Sequence, residues 1–476
     1  MVFSSETFLF LFLPLFLVLY FLTPTRWRSL TILLGSYLFY GWWRFDFLGL
    51  LFLTTLWSFA FGHLIGKNLG TPMARVYTTI GVAGCLAVLG VFKYLNFFID
   101  SFAALVGTDA NGLGVHWRLI LPIGVSFYVF HSISYLVDVA RRDAKPTSNF
   151  FDFAAYISLF PQLVAGPILR FKDLTSQFEH RVHTPQLFAD GMALFIVGLG
   201  KKVLLADAIA PLADLAFTTA DPTAPLAWLG AIAYMLQLYF DFSGYSDMAV
   251  GLGMMMGFRF LANFNTPYIS RSITEFWRRW HISLSTWLRD YLYLPLGGNR
   301  KGPRRTYINL MLVMVLGGLW HGANWTFFVW GLWHGGWLAY ERYSGLANRE
   351  TGALALIRTL LIVLIAWVAF RAADMTQAME FYTAMLGLNG FAMPIEVAYQ
   401  ISRESVAILS LGLLIAAFEP QLRDLATRRY YAPSGMGGTL TAVNTMVPAL
   451  VTVVIAVLAI MRLSEQSFSP FLYFQF

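Results

Sequence analysis

The stretch TYINLMLVMVLGGLWHGANWTFFVWGLWHGGWLAY, residues 306–340, decides the fold class because it contains no Asp, Glu, Lys or Arg. A helix needs about 20 mostly apolar residues to cross the hydrocarbon core of a bilayer, so this run is long enough for a spanning helix and a turn. Other uncharged runs cover residues 7–25, 47–66, 119–137, 222–240 and 430–461. Together with the less regular apolar segments 30–43, 76–92, 188–217, 248–258, 359–370 and 405–418, they predict an all-α, polytopic integral membrane protein with about 10–12 transmembrane helices.

The composition excludes the ordinary soluble classes. Hydrophobic residues make up 58% of the chain and charged residues 12%, against roughly 45–50% and about 25% in an average soluble domain. The many aromatic and apolar side chains also exclude a disordered protein. No soluble domain fits between the apolar runs, so residues 1–476 are predicted to form a single membrane domain. Cys85 is the only cysteine, which rules out an internal disulfide or a cysteine-based metal cluster, and no bound metal is expected.

The distribution of basic residues predicts the orientation of the chain. The net charge of +7 lies mostly in short segments between apolar runs, which indicates cytoplasmic loops and argues against a nucleic-acid partner. Over the first five spans, the basic residues of one alternate set of connections are Arg26, Arg28, Lys67, Arg75, Arg141, Arg142 and Lys145, and those of the other set are Arg44, Lys93 and Arg118. The positive-inside rule therefore places the N-terminus outside and the Arg142 loop in the cytoplasm. The first run lacks a basic n-region and a small-residue cleavage site, so it is expected to remain as a span.

Two segments do not fit a plain spanning helix. Residues 150–169 are largely apolar but contain Pro161, Gly166 and Pro167, and this segment is predicted to dip into the membrane and return. The sequence LPIG at residues 121–124 interrupts the fifth span. Non-helical backbone at membrane depth needs protein or a water-filled cavity to receive its polar groups. The two breaks therefore indicate either an internal cavity or kinked structural helices.

His321 lies near the middle of the uncharged run 306–340. A polar residue at this depth is costly and usually marks a functional site with a partner, here Asn324, three residues further on. An imidazole can rest neutral and still accept a proton, so it suits a general base in an apolar site. The neighbouring glycines at 317, 318 and 322 either open space for a substrate or allow close helix packing. His321 is accordingly interpreted as catalytic, with a packed histidine bonded to a neighbouring helix as the alternative.

A second cluster covers residues 272–300, SITEFWRRWHISLSTWLRDYLYLPLGGNR. Placed on one helix, the residues at spacings of three and four form one apolar stripe: Trp277, Trp280, His281, Leu284, Leu288 and Tyr291. Interleaved basic and aromatic residues are typical of a helix at the cytoplasmic interface or dipping into the protein. His281 is either a second active-site residue or a structural member of that stripe. Arg278 and Arg289 are candidates for contact with an anionic cytoplasmic donor, because arginine pairs well with phosphate.

The remaining polar residues fit structural roles better than catalysis. Asp241 and Asp247 point in different directions on a helix, so they are expected to hold helices together rather than form an acid and base pair. His334 follows His321 by 13 residues, which puts it on another face of a continuous helix. The signatures of common soluble hydrolases, dinucleotide-binding enzymes and complete P-loops are absent from the sequence.

The two histidine motifs resemble a known family. PYISRSITEFWRRWHISLSTWLRDYLYLPLGGNR at 267–300 and LGGLWHGANWTFFVWGLWHG at 316–335 are similar to the membrane-bound O-acyltransferases, and in particular to a bacterial branch that acts in alginate O-acetylation. LPIGVSFYVFHSISYLVDV at 121–139, FPQLVAGPILRF at 160–171 and QLYFDFSGYSDMAVGLG at 237–253 fit the same family. The likeness extends along nearly the whole chain.

The resemblance implies a fold and a set of site residues. The fold is a ring of helices, with re-entrant and interfacial helices, around a central tunnel pinched near mid-membrane. The invariant histidine of the family falls on His321 and its second histidine on His281. The sequence further suggests Arg278, Arg289, Asn324 and Trp320 as substrate- or donor-binding residues.

These observations predict an O-acetyltransferase of the bacterial inner membrane. It would move an acetyl group from a cytoplasmic thioester donor, acetyl-CoA or another acyl thioester, towards a periplasmic exopolysaccharide, most simply alginate. The resemblance implies periplasmic acetyltransferase partner proteins and no bound cofactor. Cellulose, peptidoglycan or another envelope glycan are alternative acceptors. A rival of a different class is a transporter or structural export subunit without catalysis, which would share the polytopic architecture and the broken helices.

Overall fold

The computed structural model describes residues 1–349, 352–430, 438–465 and 471–472. These residues form helices and connecting segments, with no strand among them, so the predicted all-α class is confirmed. The described helices that are long and apolar enough to cross a membrane are Phe47–Lys67, Pro72–Leu105, Ala353–Arg371 and Arg403–Gln421, and Thr7–Leu22 is a shorter apolar helix. The polytopic membrane character is therefore confirmed, whereas the count of 10–12 spans and the central tunnel stay predictions.

The chain divides into two compact units, of residues 1–188 with 252–261 and of residues 189–251 with 262–476. That residues 1–476 form a single membrane domain stays a prediction. In chain order, the helices are α1 (Leu13–Leu22), α2 (Arg28–Gly41), α3 (Phe47–Lys67), α4 (Pro72–Leu89), α5 (Leu95–Leu105), α6 (Val125–Arg141), α7 (Phe150–Ser158), α8 (Phe160–Leu163), α9 (Phe171–Glu179), α10 (Pro185–Gly200), α11 (Asp207–Thr218), α12 (Ala224–Met255), α13 (Ile273–Arg279), α14 (Ile282–Leu288), α15 (Gly302–His321), α16 (Trp325–Ser344), α17 (Leu346–Arg349), α18 (Ala353–Arg371), α19 (Met375–Met385), α20 (Ile395–Gln400), α21 (Arg403–Tyr430) and α22 (Gly438–Glu465). Single π-helical turns at Thr7–Phe12, Gly90–Tyr94, Lys201–Ala206 and Arg289–Tyr293 join or extend several of them.

The first unit is built around α6, which is buried along almost its whole length. The helix begins at Val125, directly after the non-helical LPIG segment. Gly124, the last residue of that segment, adopts the left-handed conformation with φ of 74°. A side chain at Gly124 would collide with the carbonyl of Leu163, so both the dihedral angle and the close approach require glycine. The predicted interruption of the fifth span is confirmed.

The segment 150–169 is also broken as its prolines and glycine predict. It forms two short helices, α7 and α8, separated by the non-helical residue Leu159. Neither helix is long enough to cross a bilayer. That this segment dips into the membrane and returns stays a prediction.

The second unit confirms one local prediction and overturns two others. Residues 306–340 contain a turn, because α15 ends at His321 and α16 starts at Trp325. Residues 248–258 do not form a separate apolar element, since α12 continues unbroken to Met255. Residues 272–300 do not form one helix: an extended Trp280 and a left-handed His281 separate α13 from α14. The continuous apolar stripe inferred for this segment is therefore wrong.

Helices α15 and α16 pack closely because both carry glycine at the contact. A Cβ atom added to Gly318 would collide with the carbonyl of Phe327, and one added to Gly331 would collide with the carbonyl of Met314. Backbone therefore lies against backbone at these positions. Gly318, one of the glycines near His321, therefore serves helix packing, which was one of the two alternatives inferred from the sequence.

We expect Gly331→Ala to destabilise the protein by about 1–3 kcal/mol, the usual cost of overpacking a close contact. Gly336→Ala is the matched control, because Gly336 lies on the same helix and a Cβ there meets no atom within 4 Å. Thermal unfolding in detergent measures both. Equal melting temperatures for the two variants would contradict the close-contact account.

Candidate active site

His321 is the last residue of α15, and the sequence after it explains why the helix ends there. Gly322 is extended, and Asn324 starts α16 as its N-cap, accepting a hydrogen bond from the Thr326 amide at 3.2 Å. Asparagine is among the preferred N-cap residues. His321 therefore lies at a sharp break between two packed helices, with its side chain only 6% exposed.

Aromatic rings surround the His321 imidazole. The ring centroids of Trp320, Trp330 and Phe370 lie 5.0, 5.4 and 5.2 Å from that of His321. These rings come from α15, α16 and α18, so three helices build the apolar wall around one imidazole. The arrangement suits proton transfer away from bulk water.

His281 lies next to His321. The two ring centroids are 6.2 Å apart, and His281 is 5.9 Å from the Trp320 ring. The two imidazoles are therefore direct neighbours in the site. His281 is fully buried, and burial lowers its pKa. The structure thus brings together the two histidines that the sequence singled out.

The backbone at His281 is unusual and is held in place by a neighbouring loop. His281 has φ of 44°, in the left-handed region that non-glycine residues rarely adopt. The amide of Ile282 donates to the Asn263 carbonyl at 2.9 Å, and the Ser283 hydroxyl donates to the Asn263 side chain at 2.9 Å. Strained residues of this kind persist where the surroundings fix them, and they cluster at functional sites.

Glu341 anchors the other end of this segment. Its buried carboxylate accepts hydrogen bonds from the Ile273 amide at 2.6 Å, the Thr274 amide at 2.9 Å and the Thr274 hydroxyl at 2.7 Å. A carboxylate at a helix N-terminus satisfies amides that have no partner within the helix. Glu341 on α16 therefore fixes the start of α13, the helix that leads to His281. Nothing in the sequence pattern around residue 341 indicated this role.

We expect Glu341→Gln to lower stability by about 1–3 kcal/mol, because an amide NH₂ would face donors where the carboxylate now accepts. We also expect lower activity per folded molecule, since α13 positions His281. Glu380→Gln removes the charge of an exposed glutamate on α19 and should change neither property. Thermal unfolding and an acyl-transfer assay on the same preparations measure both. An unchanged melting temperature for Glu341→Gln would contradict the anchoring role.

The other predicted site residues are Trp320, Asn324, Arg278 and Arg289. Trp320 is buried against both histidines, whereas Asn324 donates to the Ala373 carbonyl at 2.7 Å and caps α16. The inferred pairing of Asn324 with His321 is wrong, because other partners engage both ends of the amide. Arg278 is exposed. Arg289 forms an ion pair with Asp290 at 2.7 Å, so its guanidinium is already engaged.

His334 is closer to the site than the sequence indicated. The break after His321 invalidates the assumption of a continuous helix, and His334 packs 4.8 Å from the Trp330 ring. Its Nδ1 accepts a hydrogen bond from Trp277 Nε1 at 3.3 Å. His334 therefore lies behind Trp330, in contact with a ring that also touches His321. The glycine after His321 was the signal that could have placed it there.

Asp241 and Asp247 behave as inferred, because they face different partners. Asp241 pairs with Lys202 at 2.8 Å, and Asp247 pairs with Lys201 at 2.9 Å. Both lysines belong to the π-helical turn Lys201–Ala206. The two acids hold that turn against α12 and do not face each other.

These features define an integral membrane protein with a paired-histidine site enclosed by aromatic side chains, a class suited to proton transfer away from bulk water. Comparison with known sequences identifies the class more closely. The model of the membrane-bound O-acyltransferase (MBOAT) family matches residues 115–372. The chain belongs to this family and is an O-acyltransferase, which confirms the resemblance and the predicted enzyme class.

The curated relatives include proteins that match this chain over their full length. The chain is 50% identical over 499 residues to the probable alginate O-acetylase of Azotobacter vinelandii, and 46% identical over 526 residues to that of Pseudomonas aeruginosa, with 100% of both chains covered in each case. It is 35% identical over 431 residues to the peptidoglycan O-acetyltransferase of Helicobacter pylori, covering 83% of this chain and 81% of that protein.

Proposed function

We propose that this chain is an inner-membrane O-acetyltransferase that moves an acetyl group from a cytoplasmic thioester donor towards a periplasmic exopolysaccharide, alginate. The observation that carries the proposal is the full-length likeness to the probable alginate O-acetylases. The buried histidine pair supports it, because acyl transfer to a hydroxyl needs a base that is neutral at rest.

In the proposed reaction, His321 is the general base. It removes the proton from the acceptor hydroxyl as the hydroxyl oxygen attacks the thioester carbonyl carbon. The carbon–sulfur bond then breaks, and the departing thiolate takes up a proton. His281 positions the acceptor or assists this proton transfer from 6.2 Å away, between ring centroids. Trp320 holds both imidazoles in place.

The donor is acetyl-CoA or another acyl thioester, which acts as a substrate and not as a bound cofactor. Exposed Arg278 is the better candidate for contact with its phosphates, because Arg289 is paired with Asp290. Asn324 contributes by capping α16 at the site. Periplasmic acetyltransferase proteins are the proposed partners that complete polymer modification, and the N-terminus is proposed to face the periplasm.

The proposal is tested with purified protein in detergent, a labelled acetyl thioester and a soluble hydroxyl acceptor. We expect formation of a labelled ester that depends on the protein. Binding or release of the donor without a new ester would overturn the proposal, since that is the behaviour of a carrier or a structural export subunit.

A second acceptor class is favoured by the likeness to the peptidoglycan O-acetyltransferase of Helicobacter pylori. The same transfer chemistry would then serve peptidoglycan or another envelope glycan, such as cellulose. Acetate released by mild base from each purified polymer, compared between cells with and without the gene, separates the acceptors. Loss of acetate from alginate alone is the outcome that we expect.

A further inference from the structure

Two arginines from distant parts of the first unit meet around one tyrosine. Arg28 opens α2, and Arg181 follows α9. The guanidinium carbon of Arg28 lies 5.2 Å from the centre of the Tyr20 ring, and Arg181 Nη1 donates to the Tyr20 hydroxyl at 3.4 Å. Arg181 Nη2 donates to the Ser29 hydroxyl at 2.7 Å. We call Tyr20, Arg28, Ser29, Arg181 and His183 the basic cluster.

His183 completes the basic cluster in its neutral form. The Tyr20 hydroxyl donates to the Met256 carbonyl at 2.8 Å, so its oxygen accepts from His183 Nε2 at 2.9 Å. Arg28 Nη1 lies 3.3 Å from His183 Nδ1, which accepts in this tautomer. Partial burial, Arg28 and Arg181 all lower the pKa of His183. The cluster therefore holds two positive charges and a neutral imidazole.

The partners of the two arginines are neutral groups. Besides the contacts above, Arg28 Nε donates to the Thr23 carbonyl at 3.3 Å, and Arg181 lies over the rings of Phe178 and Phe258. Among the side chains that the structure describes, no carboxylate forms an ion pair with either arginine. Two like charges held together favour binding of an anion. The planar guanidinium group suits phosphate, which it can bind through two hydrogen bonds.

The surface beside the basic cluster indicates where such a phosphate would come from. Large apolar side chains of the same segments are exposed: Leu22 by 75%, Val182 by 61%, Trp27 by 48% and Phe21 by 42%. Exposed apolar residues next to basic residues and a tryptophan are typical of the boundary between lipid chains and headgroups. A free phosphate ion has no apolar part that would cover these side chains.

We propose that the basic cluster binds the phosphate of an anionic phospholipid headgroup. Arg28 and Arg181 would contact the phosphate, and the acyl chains would cover Phe21 and Leu22. This site involves none of the residues proposed for acyl transfer, so it stands or falls independently of the proposed function.

The test uses the full-length protein in detergent and native mass spectrometry with added phosphatidylglycerol or phosphatidylcholine. Arg28→Gln/Arg181→Gln removes both cluster charges. Lys67→Gln/Arg75→Gln is the matched control, because it removes two charges from exposed residues of the same unit. We expect at least about tenfold weaker retention of phosphatidylglycerol in the cluster variant, wild-type retention in the control, and weak phosphatidylcholine binding throughout.

Three outcomes would overturn the inference. They are wild-type retention by Arg28→Gln/Arg181→Gln, equal losses in both double variants, and displacement of the lipid by millimolar inorganic phosphate, which would indicate a site for a free anion. If the cluster variant does not fold, Arg28→Lys/Arg181→Lys keeps the charge but loses the planar donors. Its retention is expected to fall below that of wild type, and equal retention would count against the site.

Discussion

His321→Ala is expected to lower the rate of acetyl transfer by about 10²–10⁴-fold, the usual contribution of a positioned general base. The physical reason is that the rings of Trp320, Trp330 and Phe370 around His321 offer no proton acceptor of comparable basicity. The second imidazole, His281, is centred 6.2 Å from the His321 ring and would not occupy the position of the lost base. Ester formation from a labelled acetyl thioester, normalised to folded protein, is the measurement.

The control for this variant must remove a buried histidine elsewhere. His131 on α6 is fully buried in the first unit, so His131→Ala also leaves a cavity but takes away no proposed catalytic group. We expect the folded fraction of His131→Ala to remain active. A His321→Ala protein that folds and still transfers acetyl at the wild-type rate would rule out the general-base role.

The same assay tests whether the two histidines act together. If His281 and His321 serve one reacting oxygen, adding His281→Ala to His321→Ala should cause little further loss, because residues that act as a unit are strongly non-additive. Independent, multiplying losses would show that His281 acts elsewhere in the reaction.

The sequence could identify those site residues whose significance shows within their own segment. His321 was identifiable because a polar residue in a 35-residue run without charges carries a high cost that function must justify. That the run contains a turn was identifiable from its length. His281 was a weaker candidate from its pattern, and the family resemblance raised it.

The rest depended on contacts between residues far apart in sequence. Periodicity alone predicted one helix over residues 272–300. The left-handed backbone at His281, which breaks that helix, is held by hydrogen bonds from Ile282 and Ser283 to Asn263 in a preceding loop. Glu341 anchors α13 from 67–68 residues away. Such tertiary contacts override local preference, and no spacing rule points to them. The membrane-spanning character of a segment could be predicted, because the bilayer requires a long apolar run within each spanning segment itself.

Lys202→Met is expected to destabilise the protein by about 3–5 kcal/mol, because it breaks a buried ionic group by removing its positive partner. Lys202 pairs with both Asp207 and Asp241, at 2.6 and 2.8 Å, and its side chain is 2% exposed. The variant leaves two buried carboxylates with no opposing charge from residue 202. The Leu472 amide also donates to Asp241 at 3.0 Å, so this contact should weaken as well. Thermal unfolding in detergent measures the loss of stability.

The neighbouring Lys201 provides the matched control. Its pair with Asp247 is formed by the same helical turn but is 21% and 28% exposed, so Lys201→Met should cost about 1 kcal/mol or less. Adding Asp241→Asn to Lys202→Met removes one of the two stranded carboxylates and should recover part of the stability. Equal losses from Lys201→Met and Lys202→Met, or no recovery in the double variant, would mean that side-chain packing and not buried charge decides the stability here. The comparison separates the two causes because both lysines lose the same atoms from adjacent positions.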